Sequence, residues 1–138
     1  MNVIERMQNT INNLIDTEVH IDFTEESEAC YSLSTVSDTK LKQDIIGNQT
    51  RMNNMELSMT KLSPMDYDRL NNSSFLVDLG YELETYKGLE ITATIQGEER
   101  SGHIKSISVS NGQPFYTSED RQYITYLIQI KVIYDLRK

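Results

Sequence analysis

The C-terminal stretch of the chain alternates more regularly than any other part, and this alternation constrains the fold most. Its apolar residues fall on every second position: Ile124, Tyr126, Ile128, Ile130, Val132 and Tyr134. A period of two places these side chains on one face of a β-strand, and such a face is buried against a core. At about 12 residues the strand is longer than the usual five or six. We expect it to lie at the centre of a sheet or to reach a neighbouring subunit.

Shorter segments with the same period predict the neighbouring strands. They are Val19–Phe23, Tyr31–Val36, Met52–Lys61, Ile91–Ile95 and a strand that carries Ile107 and Val109. Three polar stretches between them predict loops at 37–50, 97–103 and 110–122. Sheet partners joined by short polar turns are typical of antiparallel pairing.

Two segments predict helices. Residues 2 to about 17 carry apolar side chains at spacings of three and four, which form one helical stripe. In the segment 63–84, Ser63 can cap a helix, Pro64 suits its first position and Asp66 completes a capping box. The polar run after Leu70 predicts a short helical turn, a new cap near Asn72 and a longer helix to about Glu84. The sequence therefore predicts an α+β fold, with a mainly antiparallel sheet packed against an N-terminal helix and a central helix.

Length and charge limit what such a fold can do. A chain of 138 residues is long enough for one core, so we expect a single domain over 1–138. A formal net charge of −8 opposes binding to nucleic acid, because that binding depends on Lys and Arg releasing phosphate counterions. The stretch from Asp16 to Glu28 is acidic and predicts a solvated negative surface. No apolar run reaches the roughly 20 residues that span a bilayer, and the N-terminus lacks a secretory pattern, so we expect a cytoplasmic protein.

The sequence offers few groups for bond-making chemistry. Both histidines, His20 and His103, lack a second ligand at metal spacing, and the lone Cys30 has no nearby base. No glycine-rich loop in a nucleotide-binding pattern precedes a helix. We therefore predict no catalytic, cofactor-binding or metal-binding residue and no cofactor, and we expect a protein that is not an enzyme.

Three segments together resemble the tail terminator proteins of long-tailed bacteriophages, which are also called tail completion or minor capsid proteins. In the first, Ile45–Met59, a hydrophobic-x-Gly turn leads into an alternating strand. The second, Ser63–Glu84, is similar to the helix that follows this strand in the family. The third, Tyr123–Tyr134, resembles the closing aromatic-x-hydrophobic strand of the family. The likeness covers nearly the whole chain in order and lies in its layout.

The resemblance implies a structural role. It implies a hexameric ring that sits on the end of a completed tail tube, stops polymerisation and joins the filled head. The implied partners are further copies of the chain, the tail tube protein and a head–tail neck protein. DNA would pass through the ring without specific binding, and no membrane would be involved. The implied location is the host bacterial cytoplasm during assembly and then the tail and neck of the virion.

The position of the predicted loops indicates where partners bind. We expect contacts at Gly47, Asn48, Arg51, Glu98, Arg100, Gln113, Phe115 and Tyr116. A head-side neck or stopper protein of similar size is an alternative to the terminator. A small soluble ligand-binding protein or enzyme is a further one, and it would need a deep pocket with converging polar groups. A bacterial protein of prophage origin that keeps the fold without the role is the last.

Overall fold

Two helices and six strands follow one another in the described part of the chain. The computed structural model describes residues 1–16, 19–21, 30–62, 65–117 and 123–138. The elements are α1 (Val3–Ile15), β1 (Val19–Ile21), β2 (Cys30–Gln43), β3 (Gln49–Leu62), α2 (Asp66–Glu84), β4 (Glu90–Ile95), β5 (Glu98–Thr117) and β6 (Tyr123–Leu136). All six strands form one sheet in the order β1-β2-β3-β6-β5-β4. Only β1 and β2 pair in parallel, so the predicted α+β fold with a mainly antiparallel sheet is confirmed.

The C-terminal strand β6 lies at the centre of this sheet, between β3 and β5. Ile128 faces Leu57 on one side, and Ile130 faces Val109 on the other. Its even-numbered residues from Ile124 to Leu136 are all buried, as the alternation predicts. The central position explains the unusual length of β6, because it hydrogen-bonds along its length to two other long strands.

Helix α1 joins the two outer strands of the sheet. The Arg6 Nε donates a hydrogen bond to the Glu90 carbonyl in β4 at 2.8 Å, and the Gln8 side chain donates to the Val19 carbonyl in β1 at 2.8 Å. A sheet whose opposite edges touch one helix is curled. The apolar stripe of α1, with Val3, Met7 and Ile11 buried, fills the concave side of the sheet and confirms the predicted N-terminal helix.

Helix α2 is continuous, and the predicted new cap near Asn72 is wrong. The helix starts at Asp66, where the Asp68 carboxylate accepts the Met65 N–H at 3.3 Å. The residues of the predicted start, Ser63 and Pro64, lie outside the described residues. Packing on β5 overrides the weak helix preference of the polar run, since the side chains of Leu76, Leu79 and Leu83 on one face are buried.

The predicted loop at 37–50 is mostly strand. Strand β2 continues to Gln43 and pairs with β3, and only residues 44–48 turn the chain. Two register shifts, at Val36 and at Leu41, place one extra residue in β2 each time. A β-bulge of this kind reverses the inward and outward sides of the strand, and it therefore hides the period of two from sequence analysis.

The predicted loops at 97–103 and 110–122 are also too long. Gln96 and Gly97, with φ of 53° and 80°, form a two-residue hairpin turn, and β5 begins at Glu98. The same strand then runs to Thr117 through three register shifts against β6. Among the described residues, β5 does not pair with β4 beyond Ile104. The proline at 114 therefore lies in a bulged part of β5 that has no strand partner on that side. Residues 118–122 lie outside the described residues.

Several other expectations concern single segments. Most of the acidic stretch from Asp16 to Glu28 lies outside the described residues, and so does the end of the predicted strand Val19–Phe23. Met55 and Met59 are buried in the core, whereas Met65 is exposed. In the part of the chain that the structure describes, no helix is long and apolar enough to cross a membrane.

Candidate interaction site at the hairpin tip

The turn between β2 and β3 is held by one carboxylate. Asp44 Oδ1 accepts the backbone N–H of Gly47 at 2.8 Å and that of Asn48 at 2.9 Å. The second oxygen, Oδ2, accepts the Asn48 side-chain amide at 3.0 Å. Side-chain oxygens that bind backbone N–H groups a few residues further on fix a turn in one conformation. The turn, residues 44–48, is called the hairpin tip below.

The hairpin tip is also tied to the rest of the sheet. The Asn48 Oδ1 accepts the N–H of Lys138 at 2.9 Å, and the Arg100 guanidinium donates to the Gly47 carbonyl at 3.3 Å. Gly47 has φ of +104°, and a Cβ at this position would lie 2.8 Å from Lys138 Cδ. A glycine is required there, because other residues rarely adopt this conformation. The tip is therefore a rigid part of the sheet.

This rigid turn presents two isoleucines to solvent. The exposed fraction of Ile45 is 105% and that of Ile46 is 70%. Val36 and Leu41, the extra residues of the two bulges, are exposed on the same hairpin. Adjacent apolar side chains that a fold holds away from its core indicate a surface for another molecule. Among the described residues, the hairpin tip is the surface that shows this feature most clearly.

Basic side chains surround the hairpin tip. Lys40 and Lys42 in β2 and Arg137 and Lys138 after β6 are all exposed at this end of the sheet. The carboxylate of Asp44 is engaged within the turn. The end that carries the tip is thus locally positive in a chain with a net charge of −8. An acidic partner surface would be attracted to it.

A second polar network fixes the stem of the hairpin. The Asp38 carboxylate accepts hydrogen bonds from Arg51 Nε at 2.7 Å, Asn53 Nδ2 at 2.9 Å and the Tyr134 hydroxyl at 2.5 Å. Partial burial raises the pKa of Asp38, but these three hydrogen bonds outweigh burial and hold the pKa below its ordinary value. The four side chains connect three neighbouring strands, β2, β3 and β6.

The partners of Asp38 respond in the opposite direction. Burial and the hydrogen bond to Asp38 raise the pKa of Tyr134 well above its ordinary value. The hydrogen bond to Asp38 also raises the pKa of Arg51. Asp38 is therefore a carboxylate, Tyr134 a neutral phenol and Arg51 a cation near neutral pH. Such a set stabilises the hairpin stem and leaves no proton poised for transfer near neutral pH.

Two polar clefts share His103 and Arg137, and the second of them adjoins the tip. One is about 540 Å³ and is bordered by Arg6 and Glu90, and the other is about 430 Å³ and reaches Asp44. In the second, His103 Nε2 is 3.9 Å from an Asp135 oxygen, which is an ion-pair distance and too long for a hydrogen bond. The Thr50 hydroxyl donates to the other Asp135 oxygen at 2.7 Å. Both clefts are open to solvent.

The structure brings three of the predicted partner-binding residues together. Gly47, Asn48 and Arg100 meet at the hairpin tip. Arg51 lies on the stem and binds Asp38. Glu98 is exposed at the start of β5, directly after the β4–β5 turn. The remaining residues belong to the second half of β5, at the opposite end of the sheet, and their side chains lie outside the described residues: Gln113, Phe115 and Tyr116.

Sequence reasoning missed the residues that make the tip distinctive. Asp44, Ile45 and Ile46 were not among the expected contacts, although they directly precede Gly47. An aspartate followed three residues later by glycine is a turn signal, and two apolar residues between them cannot reach the core of a hairpin. That combination is the signal that predicts exposed isoleucines here.

Comparison with known proteins adds no relative. No protein-family model matches the chain, and no curated protein matches it significantly. Within the described ranges, no group of three or more His, Cys, Asp or Glu side chains is placed to hold a metal ion.

Proposed function

We propose that this chain is a structural assembly protein of a long-tailed bacteriophage that caps the completed tail tube and contributes to the head–tail joining interface. The observation that carries the proposal is the rigid apolar hairpin tip, Ile45 and Ile46, which the fold holds away from its own core. A protein whose task is to bind neighbouring subunits needs such a surface and a stiff sheet behind it. The resemblance of the sequence layout to tail terminator proteins is the reason for proposing this kind of assembly.

The sheet suits a ring subunit. Three long strands, β3, β6 and β5, pair side by side, and the Asp38 network and the Asn48–Lys138 contact hold the hairpin to them. A hairpin fixed in this way moves as one body with the sheet. Surfaces on rigid elements can close a ring, because a constant angle between subunits is repeated at every contact.

The charge of the chain suits a passage for DNA. A ring with a net charge of −8 for each subunit would repel the phosphate backbone and let DNA pass without adhesion. The basic side chains described above lie at the tip, where a subunit contact would cover them. In this proposal the protein acts in the host cytoplasm during assembly and then stays in the virion, with the tail tube protein and a neck protein as its partners.

A stopper protein on the head side of the neck would use the same features. Both roles need self-association, and they differ in the partner that the ring binds. The test is to mix the purified chain with polymerised tubes of a tail tube protein from the same genome. We expect electron microscopy to show a ring at one end of each tube and no further growth at that end. Binding to the portal side of filled heads and not to tubes would favour the stopper, and binding to neither would contradict the proposal.

A further inference from the structure

The outer face of helix α2 carries a second apolar surface. Leu70, Val77 and Tyr81 follow one another at spacings of seven and four, so they lie on one side of the helix. Leu70 and Tyr81 each keep 66% of their surface exposed. The opposite side of the helix packs on β5. These three residues are called the α2 stripe below.

The α2 stripe differs from the hairpin tip in charge. The described acidic residues of the helix include Asp78 and Glu82, both exposed near the stripe. Lys40 and Lys42, which lie in β2 just before the tip, are also exposed. Exposed acidic side chains therefore flank the apolar residues of the stripe, and exposed basic side chains flank those of the tip. Complementary surfaces of this kind favour a defined pairing over other contacts.

The two surfaces lie on different halves of the molecule. The hairpin tip belongs to β2 and β3 on one side of β6, whereas α2 contacts β5 on the other side. A contact between the tip of one copy and the stripe of another is therefore head-to-tail. It leaves an unused tip at one end of the pair and an unused stripe at the other. Head-to-tail contacts build closed rings or open filaments.

Pairing of strand edges is the main structural alternative, and β2 opposes it. From Ser34 onward the outer edge of β2 has no strand partner among the described residues. That edge carries two lysines and the bulges at Val36 and Leu41. Lysines and bulges on an edge strand prevent the addition of another strand. A neighbouring copy would therefore bind the tip and not the edge.

From these observations we propose that the hairpin tip of one copy docks on the α2 stripe of a second copy, with Ile45 and Ile46 against Leu70, Val77 and Tyr81. This inference rests on the proposed function and names the subunit contact that would close the ring. Each copy would use both of its surfaces, so one weak contact would be reinforced around the closed ring.

Disulfide crosslinking tests this contact. Cys30 is replaced by serine, and Ile46→Cys and Ser74→Cys are introduced into the same chain, since Ser74 lies between Leu70 and Val77 on the helix surface. We expect mild oxidation to produce a ladder of covalently linked copies on a denaturing gel. The matched control pairs Ser74→Cys with Lys131→Cys, which is exposed on β6 outside the tip, and it should give no ladder above background. Equal ladders in both variants would overturn the proposed contact.

A charge exchange provides a second test that needs no cysteine. Lys40→Glu with Lys42→Glu should weaken self-association by about tenfold or more, and Asp78→Lys with Glu82→Lys should restore it in the same chain. Rings that persist unchanged in the first variant, or crosslinking of the tip to the tube protein alone, would overturn the contact while the proposed function stands. A chain that forms no ring under any condition, with or without tail tubes, would contradict both proposals.

Discussion

The hydroxyl of Tyr134 in β6 reaches across β3 and donates a 2.5 Å hydrogen bond to the Asp38 carboxylate in β2. The residue of β3 that faces Tyr134, Arg51, binds the same carboxylate. Three strands are thus connected at the point where the β2–β3 hairpin extends toward its exposed tip. The contact is what makes the hairpin a rigid extension of the central strand.

Removing this hydrogen bond should weaken the fold without changing it. For Tyr134→Phe we expect a loss of about 1–2 kcal/mol in the free energy of unfolding, because the partly exposed Asp38 keeps its other two donors. Urea unfolding followed by circular dichroism measures the change. Tyr86→Phe, a partly buried tyrosine outside the Asp38 network, is the matched control in the same assay. A stability equal to that of the wild type would mean that the Asp38 network does not support the hairpin.

The same network predicts a dependence of stability on pH. The pKa of Asp38 is lower in the folded chain than its ordinary value of 3.8, so the carboxylate stabilises the fold above that pH. The contribution should fall as pH drops below about 3.8 and vanish below the folded pKa. We therefore expect the stability difference between wild type and Asp38→Asn to shrink in this acidic range. A difference that stays constant from neutral pH to pH 3 would show that the pKa of Asp38 is not depressed.

At alkaline pH the stability of the fold should change in the opposite direction, falling as pH rises. Because the pKa of Tyr134 is raised in the folded chain, its neutral form stabilises the fold, and this stability should decline as pH rises above about 10. Tyr134→Phe lacks the titrating group, so the difference between the two proteins should narrow above that pH. Thermal unfolding at pH 9 and pH 11 measures it, and parallel curves would contradict the assignment.

Gly102 in β5 leaves no room for a side chain next to β6. A Cβ at this position would lie 1.8 Å from the Asp135 carbonyl oxygen, which belongs to the backbone. Gly102→Ala therefore requires the two strands to separate, and we expect a loss of about 3 kcal/mol. Ser101→Ala, an exposed neighbour in the same strand, should change stability by less than about 0.5 kcal/mol. Similar melting temperatures for the two variants would contradict the strand packing described here.

The two faces of β6 should tolerate different substitutions. Ile128 is 1% exposed, whereas Gln129 next to it is on the outer face of the sheet. Ile128→Asp should unfold the chain, because an unpaired buried charge costs several kcal/mol. Gln129→Asp should stay folded. A cooperative thermal transition of Ile128→Asp near that of the wild type would show the core assignment to be wrong.

The sequence predicts the segments that pack on the core better than the long strand ends that project beyond it. The period of two in β6 and the helical spacing in α1 are strong because one face of each packs on the core. The long ends of β2 and β5 escape prediction, since bulges interrupt their period and their residues are polar. The tip was predicted in part. Asp44 and Gly47 give a local turn signal, but the rigidity of the tip depends on contacts with Arg100 and Lys138, which are distant in sequence.

The solution mass of the chain tests the central claim most directly. Sedimentation velocity would compare the wild type with Ile45→Asp/Ile46→Asp at equal concentrations, alone and with polymerised tail tubes. We expect a closed ring for the wild type, formed alone or when tubes are added, and a folded monomer for the variant under both conditions. A wild type that stays monomeric with and without tubes, or a variant that assembles as the wild type does, would contradict the claim that the hairpin tip exists to bind a neighbour.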